Sequence, residues 1–345
     1  MKLFIFGSTG DLIKRKVLLD LQKLKQDLEI YALGRKNFTS EIYEDFVCQG
    51  RCSPEFKKKI HYKKIDFEKE DLCNPCSTLF DKSKVNFIYI AMPPKFLLKI
   101  IKELSKINKK FKLRILIEKP FGENLESALE LQKIIKEKDI EEDIFLSDHY
   151  LFKKEVERLN FNNFNKIKFL SLEKLGVEER INYYDDIGAL KDMVQSHFFN
   201  LIFKFVKTQD LAGAKIKKLI RGQYKNYKKE LKEDSETETA IYLEFKDGGK
   251  EFVFFTGKKF SQKESLIEVD GKRIELKTGG EYKRIFNEFL NEKCENFPTI
   301  EDSIASWKII KKIEDIKSPL KIYRDNITEQ EFKNEAIEIN KEEKK

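Results

Sequence analysis

The sequence predicts an α/β chain of two domains. An N-terminal Rossmann-type doubly wound parallel sheet spans residues 1–149, a C-terminal α+β domain with an antiparallel sheet spans 150–326, and a charged tail covers 327–345. Three observations lead there. At 345 residues the chain exceeds one small core. Its first half alternates short apolar runs with amphipathic helical patterns, and its second half does not.

The runs KLFIF (2–6), EIYAL (29–33), IHYKKI (60–65), NFIYIAM (86–92), LRILI (113–117) and DIFLS (143–147) are too short for helices and rich in β-formers. With helices between them they build parallel pairs. Later, KIKFLSLEKL (166–175) reads as a strand and 186–205 as one long helix. Strand-like runs follow at 238–246, 250–256, 265–270 and 272–277, then helices at 280–292 and 300–316. The tail offers little to bury and is expected to form a solvated helix or to fray.

The chain is 40% apolar and 37% charged, with both signs interleaved, which fits a folded protein. The net charge of +8 comes from scattered lysines, and no nucleic-acid motif accompanies it. It reads first as a lysine-rich surface, with an anionic small substrate as the lesser alternative. No secretory leader or membrane-spanning run is read, so a cytoplasmic protein without membrane contact is expected. Cys48, Cys52, Cys73 and Cys76 have spacings that allow zinc, but they fall at opposite ends of a parallel sheet. Reduced free thiols are expected, and no metal.

The loop GSTGDL follows the first strand and opens a helix. Gly7, Ser8, Thr9, Gly10, Asp11 and Leu12 would bring backbone close to a pyrophosphate at a helix N-terminus. Arg35 ends the second strand. It suits a 2′-phosphate, hence NADP with NAD as the alternative, or it is a surface cation. Pro93 follows the fourth strand, Lys119 and Pro120 the fifth, Asp148 and His149 the sixth, so these groups converge on the carboxyl rim where such sheets bind ligands.

His149 and Lys153 are four apart at a helix start, which puts both on one face, with Tyr150 adjacent; this is a phosphate cradle or a solvated first turn. Leu190, Val194, His197 and Leu201 follow one helical stripe, so His197 faces inward. There it is either a satisfied core histidine or a base, and a base needs an acid partner such as Asp148.

The stretches GSTGDLIKRK (7–16), EKPFGENLESA (118–128), DHYLFKKE (148–155), LGVEERINYYDDIGALKDMVQSH (175–197), IRGQY (220–224), DSETET (234–239), FFTGKKF (254–260) and SIASWKII (303–310) together resemble the glucose-6-phosphate dehydrogenase family. The resemblance implies oxidation of C1 of glucose 6-phosphate to a 6-phosphogluconolactone with hydride transfer to NADP, in the pentose phosphate pathway. It implies His197 as base and Asp148 as the acid that orients it. His149, Tyr150 and Lys153 match the phosphate site, and Lys258 and Lys263 match two further lysines reaching the substrate. Lys119, Glu173 and Asp192 match residues binding sugar hydroxyls, and Pro120 a proline often cis at the cofactor–substrate junction.

The sequence departs from the family pattern in places. Phe152 stands where the family has glycine, and Ser196 where it has asparagine. Between 265–269 and 281–286 a long run of strands is missing, which reduces the antiparallel sheet and bears on the homodimer the resemblance implies. The other readings are a dehydrogenase of another sugar or sugar phosphate, favoured by Phe152 and the missing strands, and a non-catalytic NADP-binding regulator.

Overall fold

The computed structural model describes residues 1–70, 78–159, 163–207, 211 and 213–334. They form two compact units, each built on one sheet. The first holds Met1–Phe152 and Thr278–Ile304, the second Lys153–Lys277 and Ala305–Lys345.

The first unit contains β1 (Lys2–Phe6), β2 (Glu29–Gly34), β3 (Ile60–Lys64), β4 (Asn86–Ile90), β5 (Leu113–Glu118) and β6 (Ile144–Ser147). Their order is β3-β2-β1-β4-β5-β6 and every pairing is parallel. Phe6 pairs with Leu33 and with Ile90, Ile90 with Ile117, and Ile117 with Leu146. The strands therefore end level, and the residues after them share one rim. All five residues of β4 are buried, because helices cover both faces of a parallel sheet.

The segment 278–304, expected in the second domain, groups with the first unit. Its helix Glu281–Leu290 sets Phe286 edge-on to Tyr89 and Phe289 edge-on to Phe87 and Phe145. Phe297 packs on Phe145 and Phe152. Each buried phenylalanine contributes roughly 1.5–3 kcal/mol, enough to decide which core the segment joins.

The second unit contains β7 (Lys166–Leu172), β8 (Lys215–Tyr224), β9 (Ala240–Asp247), β10 (Lys250–Gly257), β11 (Glu264–Val269), β12 (Lys272–Glu275) and β13 (Leu320–Tyr323). The order is β12-β11-β7-β10-β9-β8-β13. This sheet is mixed rather than antiparallel throughout, since β10–β7 and β13–β8 run parallel. The sequence reading did not include β8 as a strand. A bulge between Ile216 and Lys218 breaks its alternation, and lysines crowd its first half.

The expected tail begins inside the core. Ile327 is fully buried, and Phe332 packs on Phe255, Phe260 and Tyr323. Residues 335–345 lie outside the described residues.

Two readings of local structure change. Cys48 and Cys52 form a disulfide across the end of the helix Ser40–Cys48, instead of free thiols. A separation of four residues and a left-handed turn at Gln49 and Gly50 bring the two sulfurs together. Cys73 and Cys76 lie outside the described residues. The expected helix 186–205 forms over Leu190–Phe203, but its first part, Leu190–Phe198, is a π-helix, and Gly188, at φ +66°, separates it from the short helix Ile181–Asp185. No helix among the described residues is long and apolar enough to cross a membrane.

Candidate active site

In the first unit the glycine loop is a tight turn over the end of β1. Gly7 and Ser8 both donate to Leu33 O, at 3.1 and 3.0 Å, and Gly10 N–H donates to Gly7 O at 3.1 Å. Gly7 has φ +80°, and a Cβ there would sit 2.4 Å from Ala91 O, so only glycine fits. The Tyr43 hydroxyl donates to Ser8 O at 2.9 Å and fixes the loop from below. Ser8 Oγ is buried and makes no hydrogen bond among the described residues. Thr9 and Leu12 are half-buried, Gly10 is exposed, and Asp11, also exposed, pairs with Arg15 at 2.5 Å. Arg35 is exposed where β2 ends. Beside it the Lys36 ammonium lies 4.6 Å from the Phe46 ring centroid.

Pro93 caps the turn Pro94–Phe96 after β4. Lys119 is half-buried, and the Lys119–Pro120 bond is cis. One residue earlier, Glu118 accepts from the Tyr89 hydroxyl at 2.6 Å and from the Tyr282 hydroxyl at 3.3 Å. Burial pushes the Glu118 carboxyl above its ordinary value; the Tyr89 hydrogen bond and Lys119 offset part of this, and the nearby Asp148 charge adds to it. Burial likewise holds the Tyr89 and Tyr282 hydroxyls well above the ordinary tyrosine range.

Asp148 is fully buried after β6. Its Oδ1 accepts from Tyr150 N at 2.9 Å and its carbonyl from Leu151 N at 3.1 Å. This turn keeps residues 149–152 out of a helix. The expected helical face shared by His149 and Lys153 therefore does not form: the helix is Lys154–Glu157, and Lys153 only caps it. His149 stacks on Tyr282 with centroids 6.2 Å apart, and Tyr150 is buried.

In the second unit Lys153 is 2% exposed and donates to Lys277 O at 3.0 Å. Lys258 is buried at the end of β10, with Nζ 2.9 Å from Glu173 Oε2 and 5.6 Å from the Tyr184 ring centroid. Burial, and after it the Asp192 charge, holds the Tyr184 hydroxyl well above its ordinary range. Lys263 is exposed, just before β11. Asp192 is half-buried and His197 is 2% exposed, both on the π-helix. This helix is not a single apolar stripe. Every residue from Met193 to Phe199 is buried, because π geometry and the surrounding core engage all sides. Ser196 Oγ donates to Lys191 O at 3.0 Å and to Gln195 Oε1 at 3.1 Å, and Gln195 Nε2 donates to Ser306 Oγ at 3.0 Å.

Two family descriptions match consecutive stretches of this chain. "Glucose-6-phosphate dehydrogenase, NAD binding domain" covers residues 4–158, and "Glucose-6-phosphate dehydrogenase, C-terminal domain" covers 156–207. The glucose-6-phosphate 1-dehydrogenase of Helicobacter pylori (strain ATCC 700392 / 26695) is 31% identical over 291 residues, 71% of this chain and 68% of that protein.

The chain belongs to the glucose-6-phosphate dehydrogenase family.

The Bacillus subtilis (strain 168) glucose-6-phosphate 1-dehydrogenase is 28% identical over 79% of this chain and 71% of its own length. A solved structure of a glucose-6-phosphate dehydrogenase in complex with its substrate glucose-6-phosphate shares the fold, with a TM-score of 0.80 at 19% identity, over 98% of this chain and 97% of that one. Against this family frame two departures resolve locally. The Phe152 ring, in place of glycine, is fully buried against Phe297, and its carbonyl accepts from Arg284 Nε at 2.5 Å. Ser196, in place of asparagine, spends its hydroxyl within its own helix. Glu118, Tyr89 and Tyr282 were not among the residues singled out from sequence. Only the position of Glu118 beside Lys119 signalled it, and Tyr282 is distant in the chain.

Proposed function

We propose that this chain is an NADP-dependent glucose-6-phosphate 1-dehydrogenase. It oxidises C1 of glucose 6-phosphate to 6-phosphoglucono-δ-lactone, in the cytoplasm, as the entry to the pentose phosphate pathway. The observation that carries this is the family match through residues 4–207, within which Lys119, Asp148, His149, Tyr150, Lys153, Glu173, Asp192 and His197 all stand.

The glycine loop fits a dinucleotide. Its backbone has no room for a side chain at Gly7, and the buried Ser8 hydroxyl has no partner among the described residues. Gly7 to Leu12, Pro93, Lys119 and Pro120 would hold it, and exposed Arg35 favours a 2′-phosphate. When bound, NADP supplies the hydride acceptor. His197 takes the proton from the C1 hydroxyl, which raises electron density on that oxygen and drives hydride out of C1. Asp148 orients the imidazole and stabilises the imidazolium. Lys119, Glu173 and Asp192 hold the sugar hydroxyls, and His149, Tyr150, Lys153, Lys258 and Lys263 neutralise the phosphate.

Packing of Phe152 into an aromatic core removes the reason to assign another sugar on its account. Formation of NADPH from glucose 6-phosphate by the purified chain, followed by absorbance beside NAD and unphosphorylated glucose, tests the reading. No reduction with either cofactor overturns it.

A further inference from the structure

We infer that Glu238 is a positioning residue for the helix that carries Asp192 and His197, and that Arg221 holds it there; this rests on the base assignment proposed above. A π-helix leaves its first turn of N–H groups without partners inside the helix, one more than an α-helix leaves. Glu238 meets two adjacent ones. Its carbonyl accepts from Ala189 N at 2.9 Å, and its Oε1 accepts from Leu190 N, the first residue of the π segment, at 3.2 Å. Its Oε2 lies 2.8 Å from Arg221 Nη2, with the Glu238 side chain 8% exposed. The backbone is cut to admit this carboxylate: a Cβ on Gly188 would stand 2.8 Å from Glu238 Oε1.

The same chain segment is stitched a second time, to the end of the preceding helix Ile181–Asp185. Asp185 accepts from Tyr227 and Ser235 hydroxyls at 2.9 and 2.5 Å, and the Thr237 hydroxyl donates to Asp185 O at 2.7 Å. A cavity of about 320 Å³ opens beside Glu238, Arg221 and Lys191, with Leu190, Ile241 and Ile313 also in its lining. The carboxylate clamp is what sets the axial position of the helix there. Nothing else in the proposed chemistry uses Glu238 or Arg221, although the RGQY and SETET stretches carry them.

Comparison of Glu238→Ala with Glu238→Gln in the full chain tests this. The alanine variant is expected to lose about 10–100-fold in kcat and to raise KM for the sugar phosphate by no more than about tenfold, because Asp192 moves with the same helix, while KM for NADP changes less than about threefold. Backbone amides 189–199 should exchange hydrogen faster in it. The glutamine variant retains an acceptor for Leu190 N–H and is expected to recover kcat to within about fivefold of wild type. Unchanged kcat in Glu238→Ala, or equal loss in both variants, overturns the inference. If Glu238→Ala does not fold, Gly188→Ala presses on the same oxygen with Glu238 and Arg221 intact, and there an unchanged kcat is the overturning result. A wild-type chain that forms no NADPH defeats the functional proposal instead, and the exchange comparison still decides whether Glu238 holds the helix.

Discussion

Lys258 Nζ lies 2.9 Å from Glu173 Oε2, and the Lys258 side chain is only 6% exposed while Glu173 remains 39% exposed. A buried ammonium with one carboxylate partner and an aromatic face is poised to share its charge with an arriving anion. Lys258→Met is expected to weaken sugar-phosphate binding by about 2 kcal/mol, roughly 30-fold in KM, with a smaller effect on kcat. Initial rates over a range of glucose 6-phosphate concentrations measure it. A KM equal to wild type would remove Lys258 from the phosphate site.

Gly7→Ala should damage both the fold and the cofactor loop. The substitution forces φ +80° on an alanine and drives its Cβ toward Ala91 O. A cost of about 1–3 kcal/mol in unfolding free energy is expected. Calorimetric titration should also show weaker NADP binding. A variant that unfolds and binds as wild type does would show that the turn is less constrained than its geometry indicates.

Glu118 makes a prediction with a definite sign. Its carboxyl is raised from the ordinary 4.5 by burial, so the folded state holds its proton more tightly than the unfolded state. That contribution to stability is fully present below 4.5 and is lost as pH rises through the folded value. Glu118→Gln cannot ionise, so its stability relative to wild type should grow as pH rises above 4.5. Thermal unfolding of both proteins across about pH 4–7 reads this difference. A difference that shrinks with rising pH contradicts the burial effect.

Much of the first sheet was legible because five of its six strands are largely apolar runs bounded by turn residues, β3 being the more polar edge strand, and parallel register then levels the rim. The residues of the rim followed from that register alone. Other features needed long-range contacts. Phe286, Phe289 and Phe297 look like any helix face in the sequence, and only their partners Tyr89, Phe87 and Phe145 show which core they join. The bulge at Ile216 and Lys218 hid β8 from a test for strict alternation. The stripe through Leu190, Val194 and His197 fitted an α-helix, but 3.6-residue periodicity cannot report a π-helix buried on all sides. The Cys48–Cys52 bond depends on a local turn that composition does not reveal.

The role of His197 is the central assignment, and steady-state kinetics of His197→Asn with glucose 6-phosphate and NADP tests it most directly. Asparagine keeps a polar group of similar reach in a buried position but cannot accept the C1 proton. A fall in kcat of about 10²–10⁴-fold with KM changed less than about threefold is expected for loss of a general base. A His197→Asn chain that retains wild-type kcat would contradict it.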